Sequence, residues 1–235
     1  MRLPAPVRRL ARPLTRRLTH GWFGIRLRGH RVYVGDQWEE LGRLQFDFLR
    51  AEGLRPDDVL LDVACGSLRG GVHFISYLDP GHYLGIDKER SLISAGLRKE
   101  LPRGLKEAKR PEFVVSQRFE FERFSRLPDV ALAQSLFTHL PPAGIEQCLR
   151  NLLRHSKPTT RFYATFNESE EPVSNPVAPH DHRAFRYTRG EMQAFGERCG
   201  WNHRYIGAWG HPQHQVMVVY TPALDRAMEG PALPG

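Results

Sequence analysis

The sequence has few cysteines and no long apolar run, and each of these features argues against certain classes of protein. Only three of its 235 residues are cysteines, Cys65, Cys148 and Cys199, and no two of them have C-x-x-C spacing. Neither a disulfide framework nor a cysteine zinc site is therefore indicated. The sequence also lacks an apolar stretch of about 18 residues and the apolar segment of a signal peptide. We expect a cytoplasmic protein with one main domain, since 40% of the residues are hydrophobic.

Acidic residues are missing from the first 35 positions, where nine arginines precede Asp36. The other 25 basic residues are nearly balanced by the 26 acids. We therefore predict a basic arm over residues 1–30, a main domain over 31–222 and a loose Pro/Gly-rich tail over 223–235. Apolar residues recur at helical spacing in the arm, although Pro13 interrupts them. Three interpretations remain open for the arm: peripheral contact with an anionic membrane, contact with nucleic-acid phosphates, which we favour less, and a loose or self-docked extension.

The most informative stretch covers residues 59–71 and reads V-L-L-D-V-A-C-G-S-L-R-G-G. Residues 59–63 predict a buried parallel strand, and the small residues after it predict a tight turn into a helix over residues 68–77. A second apolar run ends at Asp87, 25 residues after Asp62. Helix N-termini and strand-end acids meet at the carboxyl edge of a parallel sheet, where an acid can bind a ribose diol. The pattern therefore predicts a site for a nucleotide-like ligand.

This stretch resembles the first motif of the class I S-adenosylmethionine-dependent methyltransferases, an acid followed by G-x-G-x-G. Its motif positions here are Asp62, Ala64, Gly66 and Leu68, so two of the three glycines are replaced. The strings C-G-S-L-R-G-G, A-Q-S-L-F-T-H-L and W-G-H-P-Q-H-Q resemble a bacterial subgroup that acts on small molecules, over about residues 31–222. The resemblance implies S-adenosyl-L-methionine as cofactor. It also implies a doubly wound, Rossmann-like α/β fold with a seven-stranded, mostly parallel sheet and a C-terminal antiparallel hairpin.

A dinucleotide dehydrogenase is the rival interpretation of the same turn. Its G-x-G-x-x-G spacing makes room for a pyrophosphate, and this sequence lacks that spacing. A ligand without phosphates is therefore favoured.

The rest of the main domain predicts alternating strands and helices. Helices are expected over residues 37–51, 91–100 and 142–155, and Thr188 with Glu191 predicts a capping box that opens a helix ending near Cys199. Further strands are expected over residues 83–87, 113–116, 130–135, 162–166, 204–208 and 215–220. The last two are joined by a short G-H-P-Q-H turn, so they can only be antiparallel neighbours.

Candidate cofactor-binding residues follow the predicted strand ends. They are Asp62, Ala64, Gly66, Ser67, Arg69, Asp87, Lys88, Phe119, Glu120, Gln134 and Ser135. Asp87 suits the ribose, and Arg69 and Lys88 suit a carboxylate or sugar hydroxyls. Phe119 or Phe121 would cover the adenine.

Several of these positions have competitors or a purely structural alternative. Gln117 competes with Glu120 for the adenine amino group, and the phenylalanines would otherwise be core residues. Gln134 and Ser135 would line the methionine side. Tyr33 and Gln45 would either contact the cofactor from a lid or simply pack.

His139 is the candidate catalytic base. Methyl transfer is an in-line displacement in which the protein aligns the partners and, for a hydroxyl acceptor, removes a proton; histidine titrates in the useful range. The alternative is a structural, hydrogen-bonding histidine. A metal site formed by His180, Asp181 and His182 with His211 and His214 is a further alternative, but their spacing matches no strong metal signature, so we expect no metal.

The expected acceptor is a small molecule. No N-P-P-Y or D-P-P-Y follows the fourth strand, as the resemblance to amino-methylating nucleic-acid enzymes would require, and no Pro-Cys pair for attack on a pyrimidine stands there. We predict O-methylation of a saccharide, lipid-linked or secondary-metabolite hydroxyl. Two alternatives stay open: a nucleic-acid methyltransferase that uses the arginine arm, and a non-catalytic nucleotide-binding module.

Overall fold

The computed structural model describes residue 25 and residues 29–34, 37–179 and 184–223. Most of the predicted basic arm and nearly all of the tail lie outside these residues, as do His180, Asp181 and His182. In the part of the chain that is described, no helix is long and apolar enough to cross a membrane.

A mixed β-sheet forms the centre of the molecule. Its strands are β1 (Leu60–Val63), β2 (Tyr83–Asp87), β3 (Glu112–Val115), β4 (Val130–Ala133), β5 (Arg161–Glu168), β7 (Trp201–Ala208) and β8 (Val216–Pro222), with a two-residue β6 (Arg186–Tyr187) on β5. The order across the sheet is β3-β2-β1-β4-β5-β8-β7. Strands β1 to β5 are parallel, whereas β8 is antiparallel to both β5 and β7. The predicted doubly wound α/β fold with its C-terminal hairpin is confirmed.

Helices cover the sheet. They are α1 (His30–Tyr33), α2 (Trp38–Ala51), α3 (Gly71–Tyr77), α4 (Arg90–Lys99), α5 (Leu105–Lys109), α6 (Pro142–Arg154) and α7 (Arg189–Arg198), and two short 3₁₀ turns span Phe121–Arg123 and Phe137–His139. Along β1, Leu60 belongs to one core and Leu61 and Val63 to the other. Successive residues of a strand point to opposite faces, so a fully buried strand needs apolar residues at both.

Most predicted elements lie within a few residues of their expected bounds, and β2 matches to the residue. The capping box is also confirmed: Glu191 N donates to Thr188 Oγ1 at 3.1 Å, and Thr188 N donates to Glu191 Oε2 at 2.8 Å. The helix predicted from Leu68 is wrong at its start, because Leu68 has a φ of 67°, which a right-handed helix does not allow, and α3 begins at Gly71. In the same way, the strand predicted over residues 130–135 ends at Ala133, and Ser135 has a φ of 59°.

Candidate functional site

A cavity of about 640 Å³ opens at the carboxyl ends of the parallel strands. It spans β2, β1 and β4, so it includes the point between β1 and β4 where the strand order reverses, the usual ligand site of such sheets. Eleven of the twelve predicted site residues line it: Asp62, Ala64, Gly66, Ser67, Arg69, Asp87, Lys88, Phe119, Gln134, Ser135 and His139. Glu120 does not. Tyr33 and Gln45 line the cavity as well.

The turn after β1 alternates between left-handed and other backbone conformations. Ala64, Gly66 and Leu68 have φ values of 63°, 55° and 67°. These are the three glycine positions of the G-x-G-x-G pattern, and glycine adopts this conformation without steric cost. The turn is anchored to the sheet, because Cys65 N donates to Ile86 O at 3.0 Å. The replaced glycines therefore keep the backbone of the motif, at the cost of left-handed strain at Ala64 and Leu68.

Asp87 holds this turn through its carboxylate. Gly66 N donates to Asp87 Oδ2 at 2.9 Å, and Glu89 N donates to Oδ1 at 2.8 Å. The side chain is buried, with the residue 7% exposed. A carboxylate only accepts hydrogen bonds, which suits the two hydroxyls of a ligand diol.

Asp62 faces the same cavity and is hydrogen-bonded to β2. Tyr83 Oη donates to Asp62 Oδ2 at 2.7 Å, and both residues are buried. Burial, helped by the charge of Asp87 and opposed by the Tyr83 hydrogen bond and the Arg69 charge, raises the pKa of Asp62 to about 7. At neutral pH the Asp62 carboxyl is therefore close to its titration midpoint.

Arg69 is a buried cation that joins two sides of the cavity. Its Nη1 donates to Val34 O at 3.1 Å, and its Nη2 donates to Gln134 Oε1 at 2.6 Å. Burial lowers the pKa of Arg69 to about 10, although Asp62 opposes this, so the guanidinium stays charged at neutral pH. The segment before α2 and the end of β4 are thus connected through one side chain.

A network of neutral side chains continues from Gln134. Its Nε2 donates to Ser135 Oγ at 2.7 Å and lies 3.1 Å from His211 Nε2. Ser135 Oγ donates to Gln215 Oε1 at 3.0 Å. Thr165 Oγ1 donates to the same oxygen at 2.8 Å and accepts from Ser135 N at 2.7 Å.

His211 belongs to this network as a neutral ring. Burial, followed by the charges of Arg69 and His214, lowers its pKa to about 4. Its Nδ1 accepts from Gln213 N at 3.2 Å, and its Nε2 lies 3.1 Å from Gln134 Nε2. Of the predicted metal ligands, His180, Asp181 and His182 lie outside the described residues. Within those residues, no group of three His, Cys, Asp or Glu side chains is arranged to hold a metal.

Of the candidate residues that follow β3, Phe119 lines the cavity and Glu120 does not. Phe119 lines the cavity with a φ of 57° and stacks on the fully buried Phe121, with their ring centroids 6.0 Å apart. Glu120 instead pairs with Arg123 at 3.4 Å, away from the cavity lining. Ser116 and Gln117 line the cavity in its place, so of the two candidates for the adenine amino group only Gln117 is positioned there.

Three glutamines are among the lining residues that were not predicted from the sequence. Gln147 comes from α6, and Gln213 and Gln215 come from the turn and the residue before β8. The string W-G-H-P-Q-H-Q contains the last two, but strand alternation could not have found them, because His214 between them has a left-handed φ of 56°.

The fold is similar to that of solved methyltransferases. A magnesium protoporphyrin IX methyltransferase from Synechocystis, with bound S-adenosylmethionine, aligns with a TM-score of 0.61 and 14% identity over 89% of this chain and 96% of that one. DesVI from Streptomyces venezuelae aligns with a TM-score of 0.58 and 16% identity over 82% and 94%. A glycopeptide N-methyltransferase, MtfA, in complex with S-adenosylhomocysteine, aligns with a TM-score of 0.59 and 14% identity over 77% and 89%. No protein-family model matches the chain. The chain has the fold of the class I methyltransferases.

Proposed function

We propose that this protein is an S-adenosylmethionine-dependent methyltransferase that methylates a hydroxyl of a small molecule. One observation carries the proposal: Asp62 and Asp87, at the ends of neighbouring strands, line a single cavity together with the left-handed turn between them. Similar structures contain S-adenosylmethionine or S-adenosylhomocysteine, which supports the same ligand here.

The residues of the cavity suit this cofactor. Asp87 offers lone pairs to ribose hydroxyls, and Phe119 offers a ring to the adenine. Ser67 lines the cavity fully buried, and its hydroxyl has no partner among the described residues, so a bound ligand would satisfy it. The carboxyl groups of Asp62 and Asp87, next to the turn, favour a cationic sulfonium and oppose a pyrophosphate close to them, although Arg69 and Lys88 also line the cavity. This charge pattern argues against a dinucleotide.

When bound, S-adenosylmethionine supplies a methyl group on a sulfonium, a good leaving group. The chain then has to position the acceptor and remove its proton. His139 ends a 3₁₀ turn beside β4 and lines the cavity. Among the described lining residues that follow β4, His139 is the titratable side chain, and we assign it the role of base.

Calorimetry with S-adenosylmethionine, S-adenosylhomocysteine and NAD tests the cofactor. We expect binding of the first two and none of NAD. Asp87→Asn removes the charge that would hold the ribose, and a hydrogen bond to a charged group contributes about 1.5–3 kcal/mol, so affinity should fall by roughly 10- to 100-fold.

Asp57→Asn is the matched control, because Asp57 is an exposed carboxylate in the loop before β1 and does not line the cavity. Tighter binding of NAD, or equal affinity in the Asp87 variant, would refute the proposed cofactor. Transfer of a labelled methyl group to material in cell extracts then tests the activity itself.

A further inference from the structure

The cavity lining divides into two halves of different chemistry. The charged half follows β1 and β2 and contains Asp62, Arg69, Asp87, Lys88 and Glu89. The amide half follows β4 and includes α6 and the turn before β8; its polar side chains are Gln134, Ser135, His139, Gln147, Gln213 and Gln215. Among the lining residues that the structure describes, the amide half has no carboxylate, lysine or arginine.

The orientation of the amides in this half follows from Arg69. A guanidinium only donates hydrogen bonds, so the Gln134 atom at 2.6 Å from Arg69 Nη2 must be its oxygen. The amide nitrogen of Gln134 then donates to Ser135 Oγ, and the Ser135 hydroxyl donates to Gln215 Oε1 at 3.0 Å.

Thr165 supports the same assignment. Its hydroxyl accepts from Ser135 N at 2.7 Å and donates to Gln215 Oε1 at 2.8 Å. Gln215 Oε1 thus accepts two hydrogen bonds, and its lone pairs are used. The Nε2 group of Gln215 remains as a double donor on a residue that lines the cavity and is only 6% exposed.

Two further amides of this half are uncommitted. Gln147 and Gln213 are exposed at the edge of the cavity that they line, and within the described residues their side chains form no hydrogen bond. A primary amide offers two donors and one acceptor oxygen, which matches a hydroxyl that both donates and accepts. Arg69 borders this half at Gln134, but its guanidinium already donates to Gln134 and Val34, so a charged ligand among the amides would lack a dedicated partner of opposite charge.

We propose that the amide half binds a neutral, polyhydroxylated acceptor, a saccharide, and that Gln215 Nε2 donates a hydrogen bond to one of its oxygens. This inference rests on the proposed methyl transfer and narrows its substrate class. Arg69 acts as a positioning residue, because its donor-only guanidinium determines which atom Gln215 presents.

Ligand-observed NMR on the protein with bound S-adenosylhomocysteine tests the substrate class. The probes are methyl glycosides of neutral hexoses and deoxyhexoses, with the corresponding uronic acids, sugar phosphates and amino sugars as charged counterparts. We expect saturation transfer to neutral glycosides and at least about tenfold weaker binding of the charged sugars, given the cost of burying an unpaired charge.

Gln215→Glu tests the residue. The new carboxylate can still accept from Ser135 and Thr165 but presents an oxygen where the amide presented donors. We expect affinity for the neutral glycoside to fall at least about tenfold, while the affinity for S-adenosylhomocysteine stays within about twofold. Gln193→Glu is the control, since it makes the same chemical change on the exposed surface of α7.

The outcomes separate the two proposals. Failure of S-adenosylhomocysteine to bind refutes the proposed function. The saccharide site is refuted, with cofactor binding normal, by any of three results. Neutral glycosides do not bind, charged sugars bind more tightly than neutral ones, or Gln215→Glu binds the glycoside as the parent does.

Discussion

The charged half and the amide half of the cavity are built in different ways. The charged half comes from two short segments that end neighbouring strands, residues 62–69 and 87–89. The amide half depends on contacts between residues far apart in sequence, such as Ser135 with Gln215, 80 positions away. Local sequence motifs therefore suffice to recognise the first half, whereas the second exists only once the antiparallel β8 has been placed beside β5.

The two halves also differ in how they respond to pH. In the charged half, Asp62 has a pKa raised to about 7. In the amide half, the pKa of His211 is lowered to about 4, so its ring is neutral under physiological conditions. We therefore expect the charged half to govern cofactor affinity and its pH dependence, and the amide half to govern the rate and the choice of acceptor.

The largest predicted effect is a loss of kcat, without a loss of cofactor affinity, when His139 is replaced. Replacing His139 by Gln removes the proposed base from the amide half without adding charge. General-base catalysis contributes about 10²–10⁴-fold, so kcat should fall by that factor. The dissociation constant of S-adenosylmethionine, measured by calorimetry, should stay within about twofold. A variant that turns over at the parent rate would remove His139 from the mechanism.

The next prediction concerns the pH dependence of stability through Asp62. Its folded-state pKa of about 7 is above its ordinary value, so the folded protein binds more protons than the unfolded chain between about pH 4 and pH 7. The free energy of unfolding should therefore decrease as the pH rises through this window, with an upper limit of about 4 kcal/mol for Asp62 alone. Urea titrations across this range measure it. Asp62→Asn should flatten the slope, and an equal slope in that variant would contradict the assignment.

Arg69 connects the halves and provides the third prediction. Arg69→Met leaves Val34 O and Gln134 Oε1 without their donor; an unsatisfied acceptor costs about 1–3 kcal/mol, and because both acceptors are only part-buried we expect the lower end, a loss of about 2–3 kcal/mol. Arg69→Lys keeps the charge but cannot span both oxygens with a planar fork, so its loss should be smaller. Denaturant midpoints give both values. Equal losses in the two variants would show that the fork geometry does not matter.

Sequence reasoning was most accurate where the determinants are local. The residues of β2, the Thr188 capping box and the hairpin depend on apolar runs, one cap and a short turn. The prediction that a helix begins at Leu68 was wrong. A leucine after a small-residue turn favours a helix, and the left-handed backbone of Leu68 is visible only in the packed structure.

In the site, too, the residues set by local sequence were predicted and those set by tertiary contacts were not. The strand-end acids were predicted to lie near a common ligand, and both line the cavity. The R-F-E-F string gave no means to foresee that Phe119 takes a left-handed conformation and that Glu120 pairs with Arg123 away from the cavity. The hydrogen bonds that orient Gln215 join residues from three different strand ends, and no spacing rule encodes them.

The smallest predicted effect tests the strain in the charged half. Ala64 has a φ of 63°, a conformation that costs an L-residue about 1–2 kcal/mol and costs glycine little. Ala64→Gly removes this strain but adds about 0.4–1 kcal/mol of unfolded-chain entropy, so we expect a net gain of about 0.5 kcal/mol in the free energy of unfolding. Ala95→Gly, in the middle of α4, is the matched control and should lose about 1 kcal/mol because its backbone is helical. Chemical denaturation measures both. If the two variants lose equal stability, the backbone at Ala64 is not strained, and the replaced glycines of the motif need a different explanation.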